Sequence, residues 1–217
     1  MTDFAWTGST EPWKRIQAEV RAKTIVTPLS PLPRRVAGVD CAFVDAGKTV
    51  QAAAVVYDCE SATIVEHHTL RVPCLAPYIP GYLSFREAPA IIDVMGKLKT
   101  GFGAVLFDGQ GIAHPRRCGL AAHVGVLLDV PSVGVAKSRL TGTHADVPTT
   151  AGQSVPLMDK DEQIGVVLRT RDNVQPLYVS VGHRVDLPSA VKLVLACRTK
   201  YRLPEPTRVA DKLSKVK

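Results

Sequence analysis

The 217-residue chain is 46% hydrophobic and 22% charged, which is typical of a globular protein with a sizeable core. It has no apolar run of membrane-spanning length, and its N-terminus lacks the basic start and apolar core of a signal peptide. We therefore expect a cytoplasmic protein with a single domain over residues 1–217 and no membrane partner. A helix and linker (1–34) would precede the core (35–211). The net charge of +7 favours a polyanionic partner.

The five cysteines are scattered along the chain, and no two of them form a C-x-x-C pair. An odd number of cysteines without the spacing of a metal site argues against a disulfide framework and against a zinc site. We interpret all five as incidental or buried thiols.

The first part of the chain predicts one helix followed by three strands. Residues 10–26 have Pro12 in a first helical turn and a modest apolar stripe. The following prolines break any regular element. Three strand-like runs then occupy residues 35–44, 50–58 and 64–72. The turns between them are short enough for hairpins, so we expect three antiparallel neighbours.

The second part of the chain alternates helices and strands. A helix is predicted to begin at Glu87, and helical crossovers require the strands that they connect to pair in parallel. The predicted helices are 87–99, 116–129 and 187–199, the predicted strands are 103–108 and 131–136, and a hairpin is predicted at 163–169 and 176–181. The result is an α/β fold, a mixed sheet with helices on both faces, similar to the ribonuclease H-like fold.

Carboxylates occupy the ends of two strands that this fold makes neighbours. Asp40 lies inside an apolar run, where a carboxylate is unfavourable unless it is paired or binds a metal. Asp108 ends the fourth strand, Glu87 begins a helix, and Asp211 could close the cluster from the C-terminal segment. Carboxylates without cysteines favour Mg²⁺, with Mn²⁺ as a substitute.

Two alternatives require no metal. Asp40 could pair with an arginine such as Arg35, and Asp108 could simply start a turn before Gly109. Each residue alone fits these alternatives at least as well, but the set of carboxylates favours the metal.

The segment "DGQGIAHPRRCGLAAHVG" is the densest in polar residues. Gly109 and Gly111 permit close backbone approach to a ligand. His114 and Arg116 precede a helix, where hydrogen-bond donors suit a phosphate. Lys137 follows a strand and could hold a phosphate, although the P-loop spacing is absent. Two other histidines, His123 and His183, are interpreted as packed or hydrogen-bonded structural residues.

Several segments resemble, in order, the motifs of the endonuclease V family. They are "GVDCAF", "PYIPGYLSFRE", "DGQGIAHPRRCGLAAHVG", "GVAKSRL", "SVGHRVDL" and "YRLPEPTRVAD". The resemblance runs from about Arg35 to Asp211. It implies a ribonuclease H-like fold and a DNA-repair enzyme that acts on deaminated purines, chiefly deoxyinosine. Such an enzyme uses Mg²⁺ to hydrolyse the second phosphodiester 3′ to the lesion, leaving a 3′-hydroxyl and a 5′-phosphate.

The resemblance also implies roles for individual residues. Asp40 and Asp108 would bind the metal directly, and Glu87 would help through water. Asp211 stands where some members carry histidine. His114 and Lys137 would assist at the scissile phosphate.

A base-binding pocket and a wedge complete the predicted site. The pocket would be formed by Gly81, Leu83, Gly109, Gly111 and Leu120. The wedge would be formed by Pro77, Tyr78, Ile79 and Pro80. A flipped-out base leaves a gap in the stack, and rigid side chains commonly fill such a gap.

Two other functions remain open at this point. The substrate could be inosine-containing RNA, or the chain could be an inosine-binding module without catalysis. The intact set Asp40, Glu87 and Asp108 argues against the second. We expect a monomer.

Overall fold

The computed structural model describes residues 4–215, which form eight strands and five α-helices. The elements in chain order are α1 (Glu11–Lys23), β1 (Arg35–Val44), β2 (Thr49–Asp58), β3 (Thr63–Pro73), α2 (Leu83–Met95), β4 (Ala104–Phe107), α3 (Leu120–Leu128), β5 (Ser132–Ala136), β6 (Ser154–Asp159), β7 (Glu162–Leu168), β8 (Leu177–His183), α4 (Leu187–Ala196) and α5 (Glu205–Ser214). No helix among residues 4–215 is long and apolar enough to cross a membrane.

All eight strands belong to one mixed sheet with the order β3-β2-β1-β4-β5-β8-β7-β6. The first three strands are antiparallel neighbours, as predicted from their short turns. Strand β4 pairs in parallel with both β1 and β5, as the helical crossovers require. The predicted C-terminal hairpin is also present, because β7 and β8 pair antiparallel.

Both faces of the sheet centre are buried under helices. Val36 and Leu106 pack on the face that α4 covers, whereas Ala37 and Val105 pack on the face that α2 and α3 cover. Successive residues of a strand point to opposite faces, so β1 and β4 must be apolar throughout. The predicted mixed sheet with helices on both faces is confirmed.

Two predicted helix starts are wrong, and both errors concern the site; the predicted helix ends at 26, 99 and 199 are also three or four residues too late. Helix α2 begins at Leu83 rather than Glu87, so Glu87 lies just beyond its first turn. Helix α3 begins at Leu120 rather than at residue 116. The chain cannot be helical before that point, because Arg117 has a φ of 56° and Gly119 is extended.

Strand β6 was not predicted from the sequence. Pro156 lies inside it, and a proline normally argues against a strand. The proline is tolerated because β6 is the edge strand: among residues 4–215 it pairs along its length with β7 and otherwise forms one isolated bridge, from Met158 to Thr143.

Helix α5 lies across β1 at very short distance. A Cβ atom on Gly38 would lie 2.3 Å from the carbonyl carbon of Pro206, so only glycine fits at this position of β1. This contact fixes α5 against the strand that carries Asp40.

Candidate active site

Three carboxylates converge at one end of the sheet. Asp40, Asp108 and Asp211 each offer a carboxylate oxygen, and these oxygens lie within 4.8 Å of one another. Val39 of β1 pairs with Phe107 of β4 in parallel register, so the residues that follow them, Asp40 and Asp108, emerge side by side. Asp211 reaches the same point from α5.

Glu87 lies beside this group rather than within it. Its side chain belongs to α2 and only 7% of the residue is exposed. Burial, together with the nearby charges of Asp40 and Asp108, raises the pKa of Glu87 to about 8. The residues placed to bind one cation directly would therefore be Asp40, Asp108 and Asp211. Glu87 would lie outside this direct set.

Lys137 and Ser214 compensate part of the negative charge. The Lys137 ammonium forms ion pairs with both Asp108 and Asp211. The Ser214 hydroxyl donates to Oδ2 of Asp40 at 2.5 Å. The alternative pairing of Asp40 with Arg35 is wrong, because Arg35 points to Asp58, with Nε 3.5 Å from Oδ2.

The electrostatics of the cluster suit a divalent cation. Burial raises the pKa of Asp40 to about 6 and also raises the pKa of Asp108. For Asp211, hydrogen bonds from Lys137 and Lys215 outweigh burial and lower the pKa. Three oxygen donors with unbalanced negative charge form the kind of site that a hard cation occupies. The residues present therefore fit Mg²⁺.

A ring-sized cavity lies next to the cluster. Its volume is about 160 Å³, and an engineered protein cavity of about 150 Å³ holds a benzene ring. Its walls are formed by Tyr78, Pro80, Gly81, Leu83, Ser84, Gly109, Gln110, His114, Cys118, Gly119, Leu120 and Leu140.

Four of the five predicted pocket residues line this cavity, and the fifth does not. Gly81, Leu83, Gly109 and Leu120 form part of its wall. Gly111 lies instead against β8, where a Cβ atom would be 2.0 Å from the carbonyl oxygen of Val181. The absence of a side chain at Gly111 therefore permits close packing against the protein's own backbone, not against a ligand.

Two helices begin at the cavity. Leu83 is the first residue of α2 and Leu120 is the first residue of α3. The first N–H groups of a helix have no partner inside the helix, and they favour negative or electron-rich ligand atoms. Both helix N-termini therefore lie in the cavity wall.

The loop that enters α2 is held in place through the carbonyl oxygen of Gly81. This oxygen accepts hydrogen bonds from Gln17 Nε2 (3.0 Å), His114 Nε2 (3.1 Å) and Arg116 Nη2 (2.5 Å). Gly81 has a φ of 81°, which a residue with a side chain rarely adopts. The N-terminal helix α1 thus helps to shape the cavity through Gln17.

Both ring nitrogens of His114 form hydrogen bonds with main-chain groups, one of them in this loop. Its Nδ1 accepts from the main-chain N–H of Arg116 at 3.1 Å, so Nε2 carries the proton that is donated to Gly81. Burial lowers the pKa of His114 to about 4, and the ring is therefore neutral near pH 7. The hydrogen bonds of this histidine lie at the cavity rather than at the carboxylates.

The predicted wedge divides into exposed and packed residues. Tyr78 is 68% exposed, and both it and exposed Pro80 border the cavity. Pro77 is also exposed. Ile79 instead packs against the aromatic cluster that contains Trp13. In this structure Ile79 anchors the loop, and Tyr78 is the exposed ring, with the Arg86 guanidinium 5.7 Å from its centroid.

A model of the Endonuclease V family matches residues 15–212. Endonuclease V from Rippkaea orientalis is 50% identical over 211 residues, which cover 97% of this chain and 92% of that protein. The chain belongs to the Endonuclease V family.

Solved structures of family members share the fold. Endonuclease V from Streptomyces avermitilis is 42% identical, with a TM-score of 0.90 over 95% of this chain and 92% of that one. Ciona intestinalis Endonuclease V is 28% identical, with a TM-score of 0.85 over 97% of each chain. The Ciona protein was crystallised with a 23mer DNA containing an inosine followed by a ribo-adenosine.

Sequence reasoning missed several residues that shape the site. Gln17, Ser84, Gln110 and Ser214 have partners far away in the chain or in the cavity wall. No local pattern marks Gln17, Ser84 or Ser214, and the position of Gln110 between two glycines was the one sequence signal.

His123 and His183, which the sequence analysis interpreted as structural, are packed or hydrogen-bonded away from the carboxylates. His123 is fully buried, and its Nδ1 lies 2.9 Å from Oγ of Ser84. His183 accepts from the main-chain N–H of Ile25 at 3.2 Å and donates to Asp129 at 3.0 Å. Neither belongs to the carboxylate cluster.

Proposed function

We propose that the protein is a DNA-repair endonuclease that recognises deaminated purines, chiefly deoxyinosine. It hydrolyses the second phosphodiester 3′ to the lesion, leaving a 3′-hydroxyl and a 5′-phosphate. Membership of the Endonuclease V family supports this proposal, as does the Ciona relative bound to inosine-containing DNA. The net charge of +7 suits a nucleic acid.

The observation that carries the proposal is the position of helix α2 between the cavity and the carboxylates. Its first residue, Leu83, lines the ring-sized cavity, and Glu87, four residues later, adjoins the carboxylates. One rigid element thus joins a cavity that fits a flipped-out base to a cluster that fits phosphodiester chemistry. A protein that only bound inosine would not need Asp40, Asp108 and Asp211 in convergence.

The cavity would distinguish hypoxanthine from adenine through donors at the two helix starts. Hypoxanthine carries a carbonyl where adenine carries an amine, and main-chain N–H groups at the starts of α2 and α3, which lie in the cavity wall, would match the carbonyl. An adenine there would leave donors facing a donor, which is unfavourable. Tyr78, exposed at the rim, would fill the gap in the base stack.

Asp40, Asp108 and Asp211 would hold Mg²⁺, for which Mn²⁺ can substitute. The cation would supply Lewis-acid stabilisation of the phosphate charge and would favour ionisation of a water. In the hydrolysis, the water oxygen bonds to phosphorus, the bond from phosphorus to the 3′-oxygen breaks, and that oxygen takes a proton. Lys137 carries a positive charge beside Asp108 and would orient the phosphate or the water.

The proposal is tested by a nicking assay with Mg²⁺ on duplexes that contain inosine, uracil, xanthine or no lesion. We expect a cut at the second phosphodiester 3′ to inosine and little cutting of unmodified DNA. Asp40→Ala and Asp108→Ala should abolish nicking while inosine-DNA binding persists. Unchanged nicking in these variants would show that the metal site is assigned wrongly, and binding without nicking by the wild type would favour the inosine-binding module.

A second candidate, cleavage of inosine-containing RNA, has one observation in its favour. The Ciona relative holds a nucleic acid in which a ribo-adenosine follows the inosine. Matched DNA and RNA oligomers with one inosine distinguish the two, because only the 2′-hydroxyl differs. Equal cutting of both would refute a DNA preference.

A further inference from the structure

Strand β2 carries one amide side chain inside a run of buried apolar residues. Gln51 is only 4% exposed, and its strand neighbours Val50 and Ala52 are fully buried. A buried amide is unfavourable unless its polar atoms are paired. Its Oε1 accepts from Nε of Arg71 at 2.6 Å, and its Nε2 donates to the main-chain carbonyl oxygen of Leu213 at 3.2 Å. Gln51 therefore joins an arginine of the edge strand β3 to the end of α5.

The end of α5 that Gln51 holds also contacts the carboxylates. Ser214, which follows Leu213, donates to Oδ2 of Asp40, and Asp211 lies about one turn earlier in the same helix. The buried amide thus fixes the position of Arg71 relative to the proposed metal site.

Arg71 has most of its hydrogen-bonding capacity to spare. The residue is exposed, and in the part of the chain that the structure describes its side chain has no hydrogen-bond or ion-pair partner other than Gln51. A guanidinium has five N–H donors in a fixed planar fork, and the fork matches the geometry of a phosphate. Because Gln51 already orients the fork, less conformational freedom is lost when it binds a ligand.

Arg71 lies two strands away from Asp40 on the same face of the sheet. Gln51 pairs with Ala42 of β1 and with Arg71 of β3, and Asp40 and Ala42 point to one face. With neighbouring strands about 4.8 Å apart and residues about 3.4 Å apart along a strand, the main chains of Asp40 and Arg71 are about 12 Å apart. Allowing for the reach of the side chain, this is about two to four nucleotides of a DNA strand, whose rise is about 3.4 Å per nucleotide.

The cavity lies on the other side of the carboxylates. Its wall includes Gly109, which follows β4, and Leu140, which follows β5. Strands β4 and β2 flank β1 on opposite sides, so a DNA strand that runs from the cavity across Asp40 continues toward β3. In the proposed function the cut lies 3′ to the lesion, and this continuation is therefore the 3′ side of the cut.

We propose that Arg71, oriented by Gln51, binds a backbone phosphate of the cleaved strand about two to four nucleotides 3′ to the cut. This inference rests on the proposed function and adds to it a contact beyond the cut. The strand would then be held on both sides of the carboxylates, by its base in the cavity and by its backbone at Arg71. Such a contact keeps the phosphate between them in place for attack.

The test pairs Arg71→Met with inosine duplexes in which one phosphate is replaced by a neutral methylphosphonate. The replacement is moved through successive positions 3′ to the cut, and nicking with Mg²⁺ is measured at enzyme concentrations below saturation. The wild type should lose about 10-fold in rate at one position in the proposed range, because a charged hydrogen bond is lost there. Arg71→Met should be about 10-fold slower on the unmodified duplex, and at that position it should lose no more than about 2-fold. Its affinity should also depend less on salt, with the slope of log affinity against log salt smaller by about 1.

Lys97→Met is the matched control, because it removes the same charge elsewhere. Lys97 is exposed and precedes β4, whose other end leads to Asp108. This variant should nick at the wild-type rate with the wild-type pattern of sensitivity. The pattern is a ratio within one variant, so a partly unfolded preparation does not change it.

Three outcomes overturn the inference alone. They are a wild type that is insensitive at every phosphate 3′ to the cut, an Arg71→Met variant with the wild-type pattern, and an equal loss of rate in Arg71→Met and Lys97→Met. Absence of inosine nicking by the wild type overturns the proposed function, and the inference with it.

Discussion

Replacing Gly38 by alanine tests whether the docking of α5 on β1 sets the geometry of the carboxylates. The added Cβ would lie 2.3 Å from the Pro206 carbonyl carbon and 2.5 Å from its oxygen, whereas ordinary contact begins at 3.4 Å. The neighbours are backbone atoms, so no flexible side chain can move aside. Strand and helix must therefore separate by about 1 Å.

This separation falls between two residues of the proposed metal site. Asp40 lies two residues beyond Gly38 on β1, and Asp211 lies on α5 five residues beyond Pro206. A misplacement of about 1 Å can lower a catalytic rate about 100-fold. Overpacking of this kind destabilises a protein by about 1–3 kcal/mol, which leaves most domains folded.

The assay is Mg²⁺-dependent nicking of inosine DNA, with thermal unfolding and Mn²⁺ affinity measured in parallel. Gly38→Ala should retain a cooperative unfolding transition, bind Mn²⁺ more weakly and nick about 100-fold more slowly. Gly101→Ala is the matched control, because no atom lies within 4 Å of its added Cβ. Nicking by Gly38→Ala at the rate of the control would refute the reasoning that α5 docking positions Asp211.

Three further predictions follow from the charges, the exposed ring and the thiols. Burial raises the pKa of Asp40 to about 6 and of Glu87 to about 8. The folded, cation-free protein therefore keeps protons at Asp40 and Glu87 that the unfolded chain has lost, so these two groups stabilise it less as pH rises. Burial lowers the pKa of His114 and His123 to about 4, which has the opposite sign up to about pH 6.5, so a net decrease in stability is expected between about pH 6.5 and pH 8. Mg²⁺ should accordingly raise the melting temperature more at pH 8 than at pH 6; an equal rise at both would contradict this. Tyr78→Ala should weaken inosine-DNA binding by about 1–3 kcal/mol without changing the melting temperature, and unchanged affinity by fluorescence anisotropy would argue against the wedge. The Sγ atoms of Cys59 and Cys197 are 3.8 Å apart, so diamide should join them, with a loss of two hydrogens by mass spectrometry that Cys59→Ser abolishes.

The convergence of Asp40 and Asp108 could be predicted from the sequence, because it depends on strand order. Two adjacent parallel strands run in the same direction, so Asp40, within β1, lies beside Asp108, which directly follows β4. The contribution of Ser214 could not be predicted. It bonds to Asp40 across 174 residues of sequence, and only the docking of α5 on β1 brings the two together.

Gly111 was predicted to line the base pocket but packs against β8, which shows that glycines in a sequence do not by themselves identify a ligand site. A glycine marks a place where another atom comes close, but it does not say which atom. At Gly109 the neighbours of an added Cβ are side-chain atoms of Leu120, in the cavity wall. At Gly111 the neighbour is the backbone of β8, so the constraint is one of packing. Only the tertiary structure separates the two cases.

Under the proposed function, helix α2 would couple base recognition to cutting, because Leu83 lines the cavity and Glu87 adjoins the carboxylates. Leu83 and Glu87 are one turn apart, which is about 6 Å along the axis. A base that draws the first turn of α2 toward itself must move Glu87 by a similar amount relative to Asp40 and Asp108, since a helix shifts as a unit. Contacts made at the cavity can therefore raise the rate of the chemical step as well as affinity. Loss of a cavity contact should then lower kcat for inosine and not only raise KM.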